Sequence, residues 1–281
     1  VFVSPAALGF VVFFLWPALR ELYLSFTKYN LAGTPQWVGL DNYDNLIHDD
    51  VFWNSIKVTV EYVIINIGVQ TAAAIGIAYL IFRVTQSLAV RSILLMPFLV
   101  ANVVVAIVWM WMLDYNLGIV NHVLGWFGAE PTAWLGSDTW AIPSIALINV
   151  WRFVGYTALL LFAGMQTVPK NLYEVADLDG ASEWRTFWGI TMPMIRPVFA
   201  MVMILSIIGS FQIFDTVAVT TKGGPVNSTR VLQYYVYEQA FVRSHYGYAA
   251  AISVVVFVIL AALAAFQLKV LRAGDSDLSG G

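Results

Sequence analysis

Apolar positions along the chain cluster into six runs, each long enough to cross a hydrocarbon core of about 30 Å, which takes about 20 helical residues. They lie near 1–26, 58–81, 93–113, 141–165, 198–220 and 247–270, separated by polar, turn-rich stretches such as N-L-A-G-T-P-Q-W-V-G-L-D-N-Y between the first two. The pattern predicts an all-α fold, a polytopic membrane protein with six transmembrane helices over 1–270. A flexible tail, 271–281, is expected to follow, because A-G-D-S-D-L-S-G-G has the composition of a disordered end. The first run is too long for the apolar core of a signal peptide, and no small-residue cleavage pattern follows Pro17. Since the chain opens on Val1 inside an apolar run, its native N-terminus is expected to lie upstream.

One polar interruption, 166–197, is about 32 residues long, and a loop of that length needs a structure of its own or a partner. Between Tyr173 and Pro197 it reads Y-E-V-A-D-L-D-G-A-S-E-W-R-T-F-W-G-I-T-M-P-M-I-R-P. Two short helices are predicted, broken at Gly180, which tolerates the backbone of a sharp turn. Leu172, Ala176, Phe187 and Ile190 are expected to form an apolar docking face, leaving Glu174, Asp177, Asp179 and Glu183 in water. A helix lying on the membrane surface would carry Lys and Arg on its polar face. This loop has more acids than bases, which disfavours that reading.

Polar groups inside membrane spans are costly and mostly face a bundle interior or an aqueous path. Asn66 and Gln70 lie four apart on one face of the second run, and Asn102 lies in the third. Asn149 and Arg152 share a face of the fourth, and Gln212 and Asp215 a face of the fifth. Their similar depth points to a shared substrate path, to which Trp151 could add a ring face for stacking, although packing or anchoring is the more common role of a tryptophan there. Each amide alone could instead bond a neighbouring helix, for about 0.6–2 kcal/mol. Arg152 requires a partner, the choices being Asp215, Glu61, a residue of another subunit or an anionic substrate. Gly68, Ala72 and Gly76 recur every fourth residue, broadly opposite Asn66 and Gln70, and predict a close-packing seam.

Composition agrees with membrane residence: 60% of residues are hydrophobic, only 11% are charged, and mean hydropathy is +0.76. A net charge of −3 argues against nucleic acid as a partner. The absence of cysteine removes disulfide, thiolate-metal and cysteine-nucleophile chemistry. No G-x-x-x-x-G-K-[ST], H-E-x-x-H or G-x-S-x-G stretch is present, and His48, His122 and His245 lack metal-ligand spacing. Neither a cofactor nor a metal is therefore expected in this chain. The Lys/Arg bias of the loops, seven inside against six outside for an inside N-terminus, barely sets orientation; the 82–92 loop, with two Arg and no acid, tips it.

The 173–197 stretch resembles the cytoplasmic coupling loop of permease subunits in binding-protein-dependent ABC importers, which runs E-A-A-x-x-x-G-A and then F-x-x-I-x-x-P-x-x-x-P. Glu174, Ala176, Gly180, Ala181, Phe187, Ile190, Pro193 and Pro197 fall in register, with Val175 where the family has Ala. Asp179 before Gly180 is the form of the carbohydrate-importer branch, the maltose, glycerol-phosphate and trehalose type. V-G-L-D-N-Y at 38–43, the F-D to T-x-G-G-P segment from Phe214 to Pro225, and Y-x-x-A-F at 237–241 are similar to the same branch, so the resemblance covers nearly the whole chain.

The resemblance implies a transmembrane subunit of an ATP-driven sugar or oligosaccharide importer, in the cytoplasmic membrane of a bacterium or archaeon. Glycerol phosphate or another polyol derivative is the alternative cargo. Its implied partners are a second permease subunit, two ATPase subunits that bind ATP and Mg, an extracytoplasmic substrate-binding protein and the lipid bilayer. Glu174, Ala176, Asp177, Asp179, Gly180, Ala181, Phe187, Ile190 and Pro193 would carry the coupling to the ATPase, and the chain itself would not be an enzyme. A secondary carrier or a membrane-embedded enzyme are the readings from other classes. The first would work without an ATPase, and the second would need a nucleophile or metal set that the spans lack.

Overall fold

The computed structural model of the chain describes residues 3–85 and 87–271, so most of the predicted tail lies outside the described residues. The described residues are predominantly helical, with one two-stranded hairpin among them, β1 (Thr27–Lys28) against β2 (Gln36–Trp37). Among the described residues, five helices are long and apolar enough to cross a membrane: Ser4–Leu24 (span one), Asp50–Val84 (two), Ala141–Met165 (four), Arg196–Thr220 (five) and Tyr246–Lys269 (six). Between spans two and four run two shorter helices, Leu88–Leu99 and Asn102–Met112, bent by 91°, which count as a sixth span only when taken as one broken helix and are called span three below.

Span two begins eight residues before the apolar run at 58. Asp49 caps it, its Oδ1 accepting from Val51 N at 2.9 Å and Phe52 N at 3.3 Å. The other oxygen of Asp49 accepts from the hydroxyls of Tyr235 and Tyr248, joining this helix end to span six and to the short helix Leu232–Tyr237. Burial works against the Asp49 anion, yet these four donors hold its carboxyl below the usual range. The Tyr235 hydroxyl is pushed up to about 12 by burial and by that carboxylate.

Two spans depart from the straight helices that hydropathy predicts. Span three breaks at Val100 and Ala101, both extended, three residues after Pro97, whose missing N–H leaves the last turn of the first half one hydrogen bond short. Span five breaks at Gln212–Phe214, between Arg196–Phe211 and Asp215–Thr220. Each break leaves backbone carbonyls and amides without helical partners inside a bilayer-sized bundle, and these must be satisfied locally.

Spans two and four form the centre of the bundle. Toward one end Tyr62, Ile142, Ile145 and Val217 pack together, and toward the other Ala74, Ala78, Leu161 and Met165. Gly155 lets the first half of span three rest on span four, since a Cβ there would meet Leu94 O at 1.8 Å. The predicted small-residue seam does not pack within the chain. Gly68, Ala72 and Gly76 face outward, and no atom lies within 4 Å of a Cβ built at either glycine; the buried stripe of span two is Asn66, Gln70, Ala74 and Ala78. Small size permits close approach but does not say which face is approached. Span one buries none of its described residues.

Candidate functional site

Two places gather the predicted residues. The first is the 166–197 loop. Helix Lys170–Leu178 ends at Gly180, whose φ of +68° is the left-handed conformation that glycine adopts without Cβ strain. The turn is closed by Ala181 N donating to Ala176 O at 2.9 Å, and Ser182 caps the next helix, Glu183–Thr186, by accepting from Arg185 N. That helix runs on through Phe187–Thr191 and Met192–Met194 into span five.

The expected docking face is turned the other way. Ala176 and Phe187 are buried, and Leu172 and Ile190 half-buried, against the ends of spans two, four and five nearest the loop, with Phe187 edge-on to Tyr79 at 5.0 Å. Those four side chains seal that end of the bundle. The apolar groups that remain outside are Val175, Leu178, Trp184 and Trp188, with Leu178 88% exposed. Glu174, Asp177, Asp179 and Pro193 are also exposed, and Ala181 is half-buried. Glu183 is ion-paired with Arg83 at the end of span two and accepts from Tyr79 Oη at 3.2 Å. The Arg83 guanidinium holds the Glu183 carboxyl below the usual range.

The second place is a cavity of about 750 Å³ between the spans. Six of the eight predicted path residues line it: Asn66, Gln70, Asn102, Asn149, Gln212 and Asp215. Their amides are tied into a network. Asn66 Nδ2 donates to Ser210 Oγ at 2.9 Å, Gln70 Nε2 to Thr157 Oγ1 at 2.8 Å, and Asn149 Nδ2 to Thr216 Oγ1 at 3.3 Å. Asn102 and Asp215 are each the first residue after a break, and Asn102 Nδ2 donates to Asp215 Oδ2 at 2.9 Å, so the two broken spans meet at one polar clasp. Two acceptors, Asn66 Oδ1 and Asn102 Oδ1, are buried without a hydrogen-bond partner among the described residues.

Arg152 and Trp151 lie outside the cavity lining. Trp151 stands edge-on to Trp109 at 5.6 Å. Arg152 bonds neither Asp215 nor Glu61. Its Nε donates to Val100 O at 3.2 Å and its Nη2 to Phe98 O and Val100 O at 3.3 and 3.1 Å, with the guanidinium carbon 4.6 Å from the Phe153 ring centre. The cation thus caps carbonyls freed by the break in span three, a partner that no count of side-chain charges reveals. Sequence reasoning also passed over Glu21, Tyr62, Tyr156 and Gln233 in the lining. Ser206 and Ser210, four apart in an apolar run, repeat the spacing that singled out Asn66 and Gln70 and could have been found the same way.

Comparison with known proteins places this architecture. Residues 54–272 match the sequence signature described as "binding-protein-dependent transport system inner membrane component". The chain is 32% identical to the sulfoquinovosyl glycerol transport system permease protein SmoG of Agrobacterium fabrum, over 97% of this chain and 90% of that one. It is 31% identical to the trehalose/maltose transport system permease protein MalF of Thermococcus litoralis, over 96% and 92%. It is 32% identical to the sn-glycerol-3-phosphate transport system permease protein UgpA of Agrobacterium fabrum, over 95% and 92%. In fold it is similar to a chain of a bacterial ABC transporter involved in the import of the acidic polysaccharide alginate, with a TM-score of 0.84 at 23% identity over 95% and 92%.

Proposed function

This chain belongs to the family of inner membrane components of binding-protein-dependent transport systems, and from that premise we propose that it is one permease subunit of an ATP-driven importer for a sugar or oligosaccharide. The observation that carries the reading is one chain joining two devices: a loop with exposed apolar side chains, and a cavity between the spans walled by amides and aromatic rings. Val175, Leu178, Trp184 and Trp188 form the outward face of the loop, which an ATPase subunit would cover, with Glu174, Asp177 and Asp179 around it. Phe187, Ala176 and the Arg83–Glu183 pair bind the same loop to the bundle. Movement of the ATPases would then reach span two through that pair and spans four and five through the chain, shifting packed helices around the cavity.

A second permease subunit completes the path, two ATPase subunits bind ATP and Mg, and an extracytoplasmic binding protein delivers the cargo to the side of Asp49 and Tyr235. No cofactor is assigned to this chain, and its residence is the cytoplasmic membrane of a bacterium or archaeon. The sugar class is supported by the named cargo of MalF and SmoG and by the hydroxyl-matching amides of the lining. Purification of the tagged chain from its host, followed by reconstitution in vesicles, tests the reading. ATPase subunits are expected to co-purify and uptake to require nucleotide inside; solute movement by the chain with no nucleotide hydrolase present would overturn it.

A further inference from the structure

Between spans three and four, the 114–140 segment holds a short helix, Ile119–Gly125, that is apolar on both sides. On one side Val120 packs against the buried cluster of Val105, Leu113 and Ile148, so the helix lies along the flank of the two spans. Ile148 is about two helical turns into span four, which starts at Ala141. The other side, Ile119, Val123 and Trp126 at i, i+4 and i+7, is exposed, and Phe127 extends it; Trp126 is 81% and Phe127 83% exposed. A helix apolar all round belongs in a core or in a membrane. The central polar group of the loop is satisfied from within. Buried Asn121 donates from Nδ2 to Tyr115 O at 3.1 Å and Thr132 O at 3.0 Å, and its Oδ1 accepts from Thr132 N at 3.2 Å and Trp134 Nε1 at 2.8 Å. The Asp114 carboxylate accepts from Asn116 N and Leu117 N, and the helix ends at Gly128, where φ is +81° and Ala129 N closes on Leu124 O. Those groups need no water, as a position at the edge of a bilayer demands.

We propose that this loop is a lipid anchor, with Val123, Trp126 and Phe127 set into the boundary between headgroups and acyl chains in the leaflet opposite the 166–197 loop. The two loops lie at opposite ends of the bundle because span four starts from one and ends at the other. Membrane residence, which the family supplies, is the only premise, and the importer reading is not needed. Lipid is the occupant because the exposed surface continues along a span: Val104, Val108 and Trp111, again at i, i+4 and i+7, form an exposed face of Asn102–Met112 that leads into the loop. Tryptophan and phenylalanine beside such a face suit the interfacial boundary. Charge selects the headgroup. Residues 114–140 include Asp114, Glu130 and Asp138 and neither Lys nor Arg, so an anionic surface repels the loop and a zwitterionic one, such as phosphatidylethanolamine, accepts it. Asn102 heads the half-span that ends in this loop, so the anchor also fixes the depth at which Asn102 meets Asp215.

The chain has no cysteine, so a single replacement gives it one labelling site. Trp126→Cys and Phe127→Cys each receive a nitroxide, and both positions are exposed, so the label displaces no packed side chain. His48→Cys is the water reference, since His48 is exposed just before span two, at the same end of the bundle. The full chain, with whatever subunits co-purify, is placed in vesicles of phosphatidylethanolamine and phosphatidylcholine, and the unsubstituted chain gives the background. Relaxation of the label by dissolved oxygen, which concentrates among acyl chains, is compared with relaxation by a water-soluble nickel chelate. The ratio of oxygen to nickel effect at 126 and 127 is expected to exceed that at 48 several-fold, and to fall when phosphatidylglycerol replaces the zwitterionic lipids. Equal ratios at all three positions would place the loop in water and overturn the anchor. Protection of 126 and 127 from both reagents would place a protein against them and overturn it equally. A ratio that did not fall with phosphatidylglycerol would overturn the choice of headgroup. None of these results bears on the importer reading, which uptake and ATPase measurements decide separately.

Discussion

At the loop end of the bundle the acids of 174–183 are exposed, and so are the apolar side chains of Val175, Leu178, Trp184 and Trp188. In the cavity between the spans the imbalance is polar: among the described residues, the side-chain oxygens of Asn66 and Asn102 are buried in its wall without a hydrogen-bond partner. Each region is incomplete in the currency of its surroundings: exposed apolar surface is costly in water, and an unpaired acceptor is costly where water is scarce. The loop therefore asks for a protein surface and the cavity for a hydroxylated solute. One chain presents both because its spans connect them mechanically.

The largest expected effect separates the loop's own folding from its docking. A Cβ at Gly180 meets no atom within 4 Å, so a methyl is accommodated sterically and only the positive φ resists it. That strain is roughly 1–2 kcal/mol. Gly180→Ala is expected to fold and to retain uptake within about tenfold, the equivalent of 1.4 kcal/mol. Gly180→Arg adds a long cation beside the outward face, and is expected to abolish uptake and ATPase stimulation while membrane insertion survives. Uptake assays on both variants check this, and normal transport by the Arg variant would break the division between folding and docking.

A smaller effect is expected at the boundary of the cavity. Arg152→Met keeps the length of the side chain and removes the donors to Phe98 O and Val100 O. Leaving such carbonyls unpaired costs roughly 1–3 kcal/mol each. The variant is expected to unfold several degrees lower in detergent, with KM for the cargo little changed in the protein that remains folded. A raised KM at unaltered thermal stability would move Arg152 from scaffold to substrate contact.

The same pair of regions shows what the sequence made legible. The loop was readable because its signals are local: Gly180 as the break, Ser182 as the cap, apolar spacing for the helices. The face it turns inward was not, because Leu172, Ala176, Phe187 and Ile190 form one apolar set and Val175, Leu178, Trp184 and Trp188 another, and only the bundle end decides between them. Six cavity residues were readable as polar atoms at matching depth, since a membrane makes every polar atom conspicuous. The breaks that bring Asn102 to Asp215 were invisible to hydropathy, which averages over Pro97 and over Gln212–Phe214 alike. The partner of Arg152 was hidden for the same reason, because carbonyls become acceptors for a side chain only once the helix is known to stop.

The smallest effect concerns the tie between the loop and span two. Arg83 and Glu183 are both substantially exposed, so their attraction is screened by water and salt. Holding the loop in place falls mainly to buried Phe187 and Ala176, and the ion pair sets its register against Tyr79. Because the Glu183 carboxyl is held below its ordinary value of 4.5, the pair's contribution is fully present above that value and is lost as pH falls through the lowered one. Glu183→Gln is accordingly expected to lower ATPase stimulation by no more than a few-fold at neutral pH, and less at high salt. Its small deficit in thermal stability should close as the wild-type carboxylate protonates at acid pH. The charge-reversed double variant, Arg83→Glu with Glu183→Arg, should recover stimulation that either reversal alone loses. If the double variant stayed as poor as the worse single one, span two would be joined to the loop by the buried rings alone, and the cavity would feel the ATPase only through the chain connections of spans four and five.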